Sequence, residues 1–540
     1  MANNVAVIGI FSVFLVAAVV AAVVGVTHLK NNGDSKSGEI SSSTKAVQTV
    51  CQPTQFKEAC EKSLESSNST DPKELIRTSF EAAIEEIRKV LANSATIQDL
   101  NKDDNNKAAL KVCKEVLDLS IADLQLSFDK LGGYEMSKIG DYLLNLRVWL
   151  SGALTTLQTS EKMNSILKTS MELTQNSLTM VTKLSTILNS LNIPGLNIDT
   201  TGFERKLLSN DGPEWMGHAE RRLFQAKPTD LKPNIVVAKD GSGKYDTITK
   251  ALAEVPPKSP NRFIIHIKAG TYKEQVLLPK EMTNVMFIGD GPTKTIITND
   301  LNCIRDHPLK TFGTATVGVD GAGFMARDIG FENTAGPPGH QAVAFRATCD
   351  MVIMFNCYFN GYQDTLYAHK QKQFYRDCLI SGTVDFIFED AASVFQNCLI
   401  IARKPGENQN NMITAHGRKF PYTHSAIVLQ NLKDKSKTYL GRPWKALART
   451  IIMQSNIDDI ITPEGYSPMV GTVGVDTSYF VEFQNRGPGA KTEGRPRNAI
   501  KTIDINEAKK WTPGVFLETE TDKWISQTGT LCYPDMVPGV

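Results

Sequence analysis

The chain has almost no net charge. Its 540 residues carry 59 Lys and Arg against 58 Asp and Glu, leaving +1 at pH 7. A nucleic-acid partner needs a basic face, and no basic stripe with interleaved aromatics runs through the sequence. There is no P-loop and no dinucleotide fingerprint, so nucleotide-dependent chemistry has no motif to rest on. The charge is unevenly spread: residues 1–224 carry −3 and residues 225–540 carry +4. That downstream basic excess would help association with an acidic polymer. No Lys or Arg precedes the first apolar run, Val5 to Val26, which only Ser12 interrupts. The run is long enough to span a bilayer and longer than a usual signal-peptide core, so it predicts an uncleaved membrane anchor. Lys30 behind it alone favours a cytosolic downstream side. Nine cysteines and the glycosylation sequon at Asn68 point the other way, to the secretory pathway.

Two aspartates, Asp364 and Asp385, stand 21 residues apart in CYFNGYQDTLY (357–367) and CLISGTVDFIF (378–388). Their segments belong to a longer repetition: FMARDIGFEN (324–333), MFNCYFNG (354–361), YRDCLISG (375–382) and FQNCLIIA (395–402) share one pattern. Aligning Ile329, Cys357, Cys378 and Cys398 gives steps of 28, 21 and 20, and VLQNLK (428–433) and IMQSNI (452–457) look like looser copies. Short β-rich units at such periods predict a parallel β-helix. The alternative, a β-sandwich, repeats its strands at shorter spacing and lacks a recurring polar-Cys position. In a coil of this period both carboxylates leave the same face on neighbouring strands, about 4.8 Å apart. Carboxylates that close resist joint ionisation, which yields a protonated acid beside an anionic nucleophile or base.

At this length more than one core is expected. Residues 1–45 form the anchor and a spacer, and residues 46–192 a different domain. Asp71 and Pro72 make a helix start. Ile76, Phe80, Ala83, Ile84, Ile87, Val90 and Leu91 trace one helical stripe, and Leu110, Cys113, Leu117, Ile121, Leu124 and Phe128 a second. Residues 137–158 and 162–190 read as two more helices, so an all-α four-helix bundle is expected, with a binding, targeting or inhibitory role. Residues 193–230 are a Gly- and Pro-containing linker with two basic clusters, Arg205-Lys206-Leu207-Leu208 and Arg221-Arg222-Leu223-Phe224. They are either a solvated linker or a pair of sites for a processing protease. Residues 231–540 are the coil.

The motifs DGSGKY (240–245), GTYKE (270–274), QAVAFR (341–346), GYQDTLY, GTVDFIF, ITAHGR (413–418) and LGRPW (440–444) resemble, in this order, those of plant pectin methylesterases with an inhibitor-like pro region. The resemblance covers nearly everything after the anchor. It implies a right-handed parallel β-helix acting on methylated homogalacturonan in the cell wall, with no cofactor and no metal. It implies Asp385 as nucleophile and Asp364 as general acid, then base. Gln363 and Gln341 become oxyanion donors, and Arg442 holds the nucleophile. Trp444 would stack on sugar, and Thr311 and Tyr466 would also contact substrate, Tyr466 standing where a tryptophan is usual. It implies disulfides Cys378–Cys398 and Cys51–Cys60, with Cys113 left unpaired because Ser160 replaces its partner. It also makes the linker clusters processing sites and the bundle an inhibitor-type partner of the coil.

The chain departs from the family at Glu389, where glycine is usual, at the following Asp390, and at His416 for glutamine. Competing readings are a polygalacturonase-like glycosidase on the same coil, a calcium-dependent lyase, for which no carboxylate cluster beyond the pair argues, and a wall-binding or inhibitor protein impaired by Glu389.

Overall fold

The computed structural model describes residues 42–93, 97, 104–134, 142–158, 161–190 and 232–539, apart from 432, 435–437, 470–473, 475, 496–499 and 520–522. The chain separates into two compact units, one helical and one β. Among the described residues no helix is long and apolar enough to cross a membrane. The anchor expected over residues 5–26 and the linker clusters lie outside the described residues.

The helical unit contains Ser42–Cys51, Lys57–Leu64, Pro72–Asn93, Asp104–Gly133, Leu143–Leu157, Glu161–Ile166 and Lys168–Ser190. Asp71 caps as its position predicts: its carboxylate accepts the Lys73 N–H at 2.9 Å, and the helix begins at Pro72. Ile76, Phe80, Ala83, Ile84 and Ile87 are buried, so the first stripe is core. The helix expected over 162–190 is interrupted only at Leu167, and hydrogen bonds run through the break, Leu167 N to Met163 O and Met171 N to Leu167 O. The first two helices were not foreseen. Cys51 at the end of one bonds Cys60 in the other, with Cα atoms 5.7 Å apart. Cys113 is a free thiol, as expected.

The β unit is a coil of three parallel sheets. One has ten strands, from Ile235–Val237 to Tyr479–Phe483; the other two have seven each. Its crossovers follow the right-handed rule for parallel strands. The repeat alignment holds in space. Gly330, Tyr358, Leu379 and Leu399 are direct ladder partners, which stacks Ile329, Cys357, Cys378 and Cys398 just ahead of them. The polar residue before each stacked position makes the corner between sheets. Asp328, Asn356, Asp377 and Asn397 have φ of 58, 48, 54 and 56°, a left-handed conformation that Asp and Asn tolerate best after glycine. Inside, aromatic rings continue the stack, Phe331 on Phe359 at 5.4 Å and Tyr375 on Phe395 at 4.4 Å between centroids.

The expected Cys378–Cys398 disulfide is absent; both are free, buried thiols. The register brings the two thiols close enough to act on each other, yet they are not bonded. Each Sγ instead donates to backbone carbonyls, Cys378 to Arg376 at 3.3 Å and Cys398 to Tyr375 at 3.5 Å.

The outer face of the ten-stranded sheet is apolar, with Met286, Met325, Ile353, Phe374, Val394 and Val428 buried beneath Trp511, Phe516 and Trp524. The C-terminal segment is held there by two glutamines, Gln396 at the end of Ala392–Gln396 and Gln454 just past Arg449–Met453. Gln396 accepts from Tyr533 N at 2.8 Å and donates to Tyr533 O at 2.9 Å. Gln454 does the same with Val537, at 2.8 Å both ways.

Candidate active site

One seven-stranded sheet carries the chemistry. In it, Leu366–Ala368, Ile387–Glu389, Met412–His416 and Tyr439–Pro443 lie side by side. Tyr367, Phe388, Ala415 and Arg442 are mutual ladder partners, so they form one outward-facing row. Each aspartate ends the turn that enters its strand, Asp364 at φ 63° and Asp385 at φ 51°. The turns fold back so tightly that a Cβ on Gly361 would stand 2.6 Å from Thr365 Oγ1, and one on Gly382 would stand 2.2 Å from Phe386 Cβ. Glycine three residues before each aspartate is therefore a requirement of the turn. The Asp364 N–H donates to Val384 O at 3.0 Å, which ties one turn to the next.

Asp385 is clamped. Arg442 Nε and Nη2 donate to its two oxygens at 2.7 and 2.6 Å, a bidentate pair. Burial pushes the Asp385 carboxyl up from the usual aspartate range, and the Arg442 guanidinium opposes that shift. Asp364 has no such partner. Burial first, then the charge of Asp385, push its carboxyl well above the usual range, with Arg442 pulling back weakly. The two carboxyls thus differ in environment as an acid and a nucleophile should: one is clamped by a cation, the other buried without one.

Thr311, Gln341, Gln363, Asp364, Asp385, Arg442 and Trp444 all line one cleft, together with Tyr367, Phe388, Ala415 and Met469. Among the described residues, neither the Gln341 nor the Gln363 side-chain amide has a hydrogen-bond partner within the protein, so both have N–H groups free for a ligand. Three aromatic side chains run along the cleft, Tyr367 to Phe388 at 4.4 Å and Phe388 to Trp444 at 6.3 Å between centroids, and Phe312 packs edge-on against Tyr367 at 6.4 Å. Such a row offers faces to sugar rings.

The family match follows from the same residues. The family model for pectinesterase matches residues 234–520, and that for the plant invertase/pectin methylesterase inhibitor matches residues 45–191. The chain belongs to the pectinesterase family. A probable pectinesterase/pectinesterase inhibitor 21 of Arabidopsis thaliana is 44% identical over 552 residues, spanning 97% of this chain and 81% of that one. A pectinesterase of Petunia integrifolia is 48% identical over 379 residues, 68% of this chain and 97% of its own. The solved pectin methylesterase from carrot is 44% identical with a TM-score of 0.55, covering 57% of this chain and 99% of that one.

For this pectinesterase, one expected contact residue is not at the cleft. Tyr466 is 2% exposed and stacks on Phe480 at 4.3 Å, inside the coil. Its backbone bridges to Gly441 from the turn at Gly465, where φ is 65°, and that pairing turns the ring inward. Sequence reasoning missed Tyr367 and Phe388 in the cleft wall. Tyr367 and Phe388 each follow their aspartate by three residues, so the same 21-residue period signals them. His416 is buried, which holds its imidazole well below the usual histidine range, and its Nδ1 accepts the Arg449 N–H at 3.1 Å. It is core rather than site.

Proposed function

We propose that this pectinesterase-family chain is a pectin methylesterase that hydrolyses methyl esters of homogalacturonan, releasing methanol and leaving the polymer uncut. The observation that carries the reading is the unequal aspartate pair under two free glutamine amides. Asp385 attacks the ester carbonyl carbon as carboxylate. The amides of Gln363 and Gln341 donate to the developing oxyanion. Asp364, kept protonated by burial, gives its proton to the departing methoxy oxygen, and methanol leaves an acyl-aspartate. Asp364, now a carboxylate, takes a proton from water as the water attacks the acyl carbon. The galacturonate product then departs, Asp385 is again ionised, and Asp364 is again protonated. Arg442 holds the nucleophile in its ionised, oriented form, and Trp444 offers a face to the sugar.

The domain reading belongs to the same proposal: residues 46–192 are an inhibitor-type pro region, residues 231–540 the catalytic coil, and the linker between them is cut in the secretory pathway on the way to the cell wall. Asn68, exposed after Lys57–Leu64, is the glycosylation acceptor.

The test is Asp385→Asn, which keeps the volume and removes the anion. Methanol release should fall about a thousandfold or more, roughly 4 kcal/mol of barrier, while circular dichroism stays that of wild type. Activity within tenfold of wild type in the folded variant would sink the nucleophile assignment. Shortening of the polymer by wild type would favour a glycosidase instead.

A further inference from the structure

Glu389 is an acidic residue next in the chain to Phe388, which lines the cleft, and the ester chemistry leaves it unused. It ends the strand Ile387–Glu389, which Asp385 precedes. Its φ is 89°, a left-handed conformation that a side chain adopts at a cost. Its neighbour makes room for it: a Cβ on Gly417 would come within 2.6 Å of Glu389 Oε2. The Glu389 charge acts on Tyr367, which lines the cleft, and adds to burial in raising the pKa of that hydroxyl. The Lys445 charge also acts on Glu389, and the Lys445 ammonium lies 4.9 Å from the Trp444 ring. A strained acid thus sits among two cleft aromatics and the lysine beside them.

We propose that Glu389 sets the preference of this cleft for methylated over free-acid sugars next to the ester being cleaved. The proposal rests on the pectinesterase reading above. A free galacturonate carries a carboxylate and a methylated one does not, so the charge beside Tyr367 and Trp444 separates them. Lys445 alone would attract the free acid. An ionised Glu389 cancels that attraction and repels the second carboxylate.

The other charges facing this pair are Asp390, next in the chain, and Asp364, with Arg346 acting through Tyr367. His416, the ladder partner of Glu389, is held neutral by burial. Burial first, then Asp390, push the Glu389 carboxyl well above the usual range, against the pull of Lys445. Glu389 is therefore neutral at low pH and ionises as pH rises, so discrimination against free-acid neighbours grows with pH. The catalytic dyad serves both substrates equally, so its own titration cancels in the ratio of their efficiencies.

The experiment measures kcat/KM per methyl ester by methanol release from galacturonans of high and low methylation, on the full chain, across pH. For wild type the high-to-low ratio should rise with pH. Glu389→Gln should flatten that rise and lower the ratio about fivefold at the upper end, the size of one screened charge contact. Glu389→Gly, which also relieves the backbone, should do the same. Lys445→Gln should raise the ratio. The proposal is overturned if both Glu389 variants keep the wild-type ratio and pH course, or if folded Glu389→Gln loses activity on both polymers alike. A wild-type chain that releases no methanol from either polymer overturns the esterase reading itself, and this proposal with it.

Discussion

Arg442 decides which aspartate is the nucleophile. Its two bonds of 2.7 and 2.6 Å go to Asp385, and it only opposes the burial of Asp364 from a distance. The ionised form of Asp385 and the protonated form of Asp364 are both needed, which fixes the limbs of the pH profile. As pH falls through the Asp385 value the nucleophile is protonated and the rate drops. As pH rises through the raised Asp364 value the acid is lost and the rate drops again. Arg442→Lys replaces a fork with a point charge, so Asp385 loses one of its two bonds and some of the pull that offsets burial. Its acid limb should move to higher pH and kcat should fall about tenfold to a hundredfold, while the alkaline limb moves less. A kcat–pH profile of the variant checks this; an unmoved acid limb would mean that Arg442 does not hold the nucleophile's charge. At this scale the period made Asp364 and Asp385 legible; Tyr367 and Phe388 share it, three residues on, but were not read from it. Tyr466 was misplaced because the period says nothing about an irregular turn such as that at Gly465.

The coil was legible as an element for a physical reason. Each corner needs a residue that accepts positive φ, and Asp328, Asn356, Asp377 and Asn397 recur where stacking requires them. The thiols beside them were read as a bridge, yet spacing along the chain does not report the angle between parallel Cβ vectors. The C-terminal strap was not legible at all: Gln396 and Tyr533 are 137 residues apart, and no local pattern announces a glutamine that will pair with a distant peptide group. Gln454 satisfies both polar groups of Val537 and also accepts from Gln430 at 3.0 Å, all buried. Truncating it leaves several of those groups without partners. Gln454→Ala should cost about 2–3 kcal/mol, read as a lower denaturation midpoint with an unchanged m-value. Loss of the tail also uncovers the apolar outer face of the ten-stranded sheet. The variant should therefore bind more of a hydrophobic dye before it unfolds. A midpoint within error of wild type would show that the strap is incidental to stability.

Two family models divide the molecule where composition does. The inhibitor match ends at residue 191 and the pectinesterase match begins at 234. The described helices end at Ser190, and the first strand begins at Ile235. Each unit closes its own apolar core, the helical one around Phe80, Leu117 and Leu150, the β one around Phe287, Phe331 and Phe359. A cut between them severs neither core. The segment between them holds Arg205-Lys206-Leu207-Leu208 and Arg221-Arg222-Leu223-Phe224, two basic-then-aliphatic motifs among glycines and prolines. Connecting segments of that composition are preferred sites of proteolysis. Cleavage after Leu208 or near Phe224 should therefore release a coil with every cleft residue from Thr311 to Met469 intact. Amino-terminal sequencing of the secreted protein should begin at Ser209 or within a few residues of Phe224. Replacing the basic residues of both motifs by alanine should leave the secreted form uncut. A wild-type secreted protein that is continuous through residues 193–230 would count against processing and leave the helical unit as a permanent partner of the enzyme.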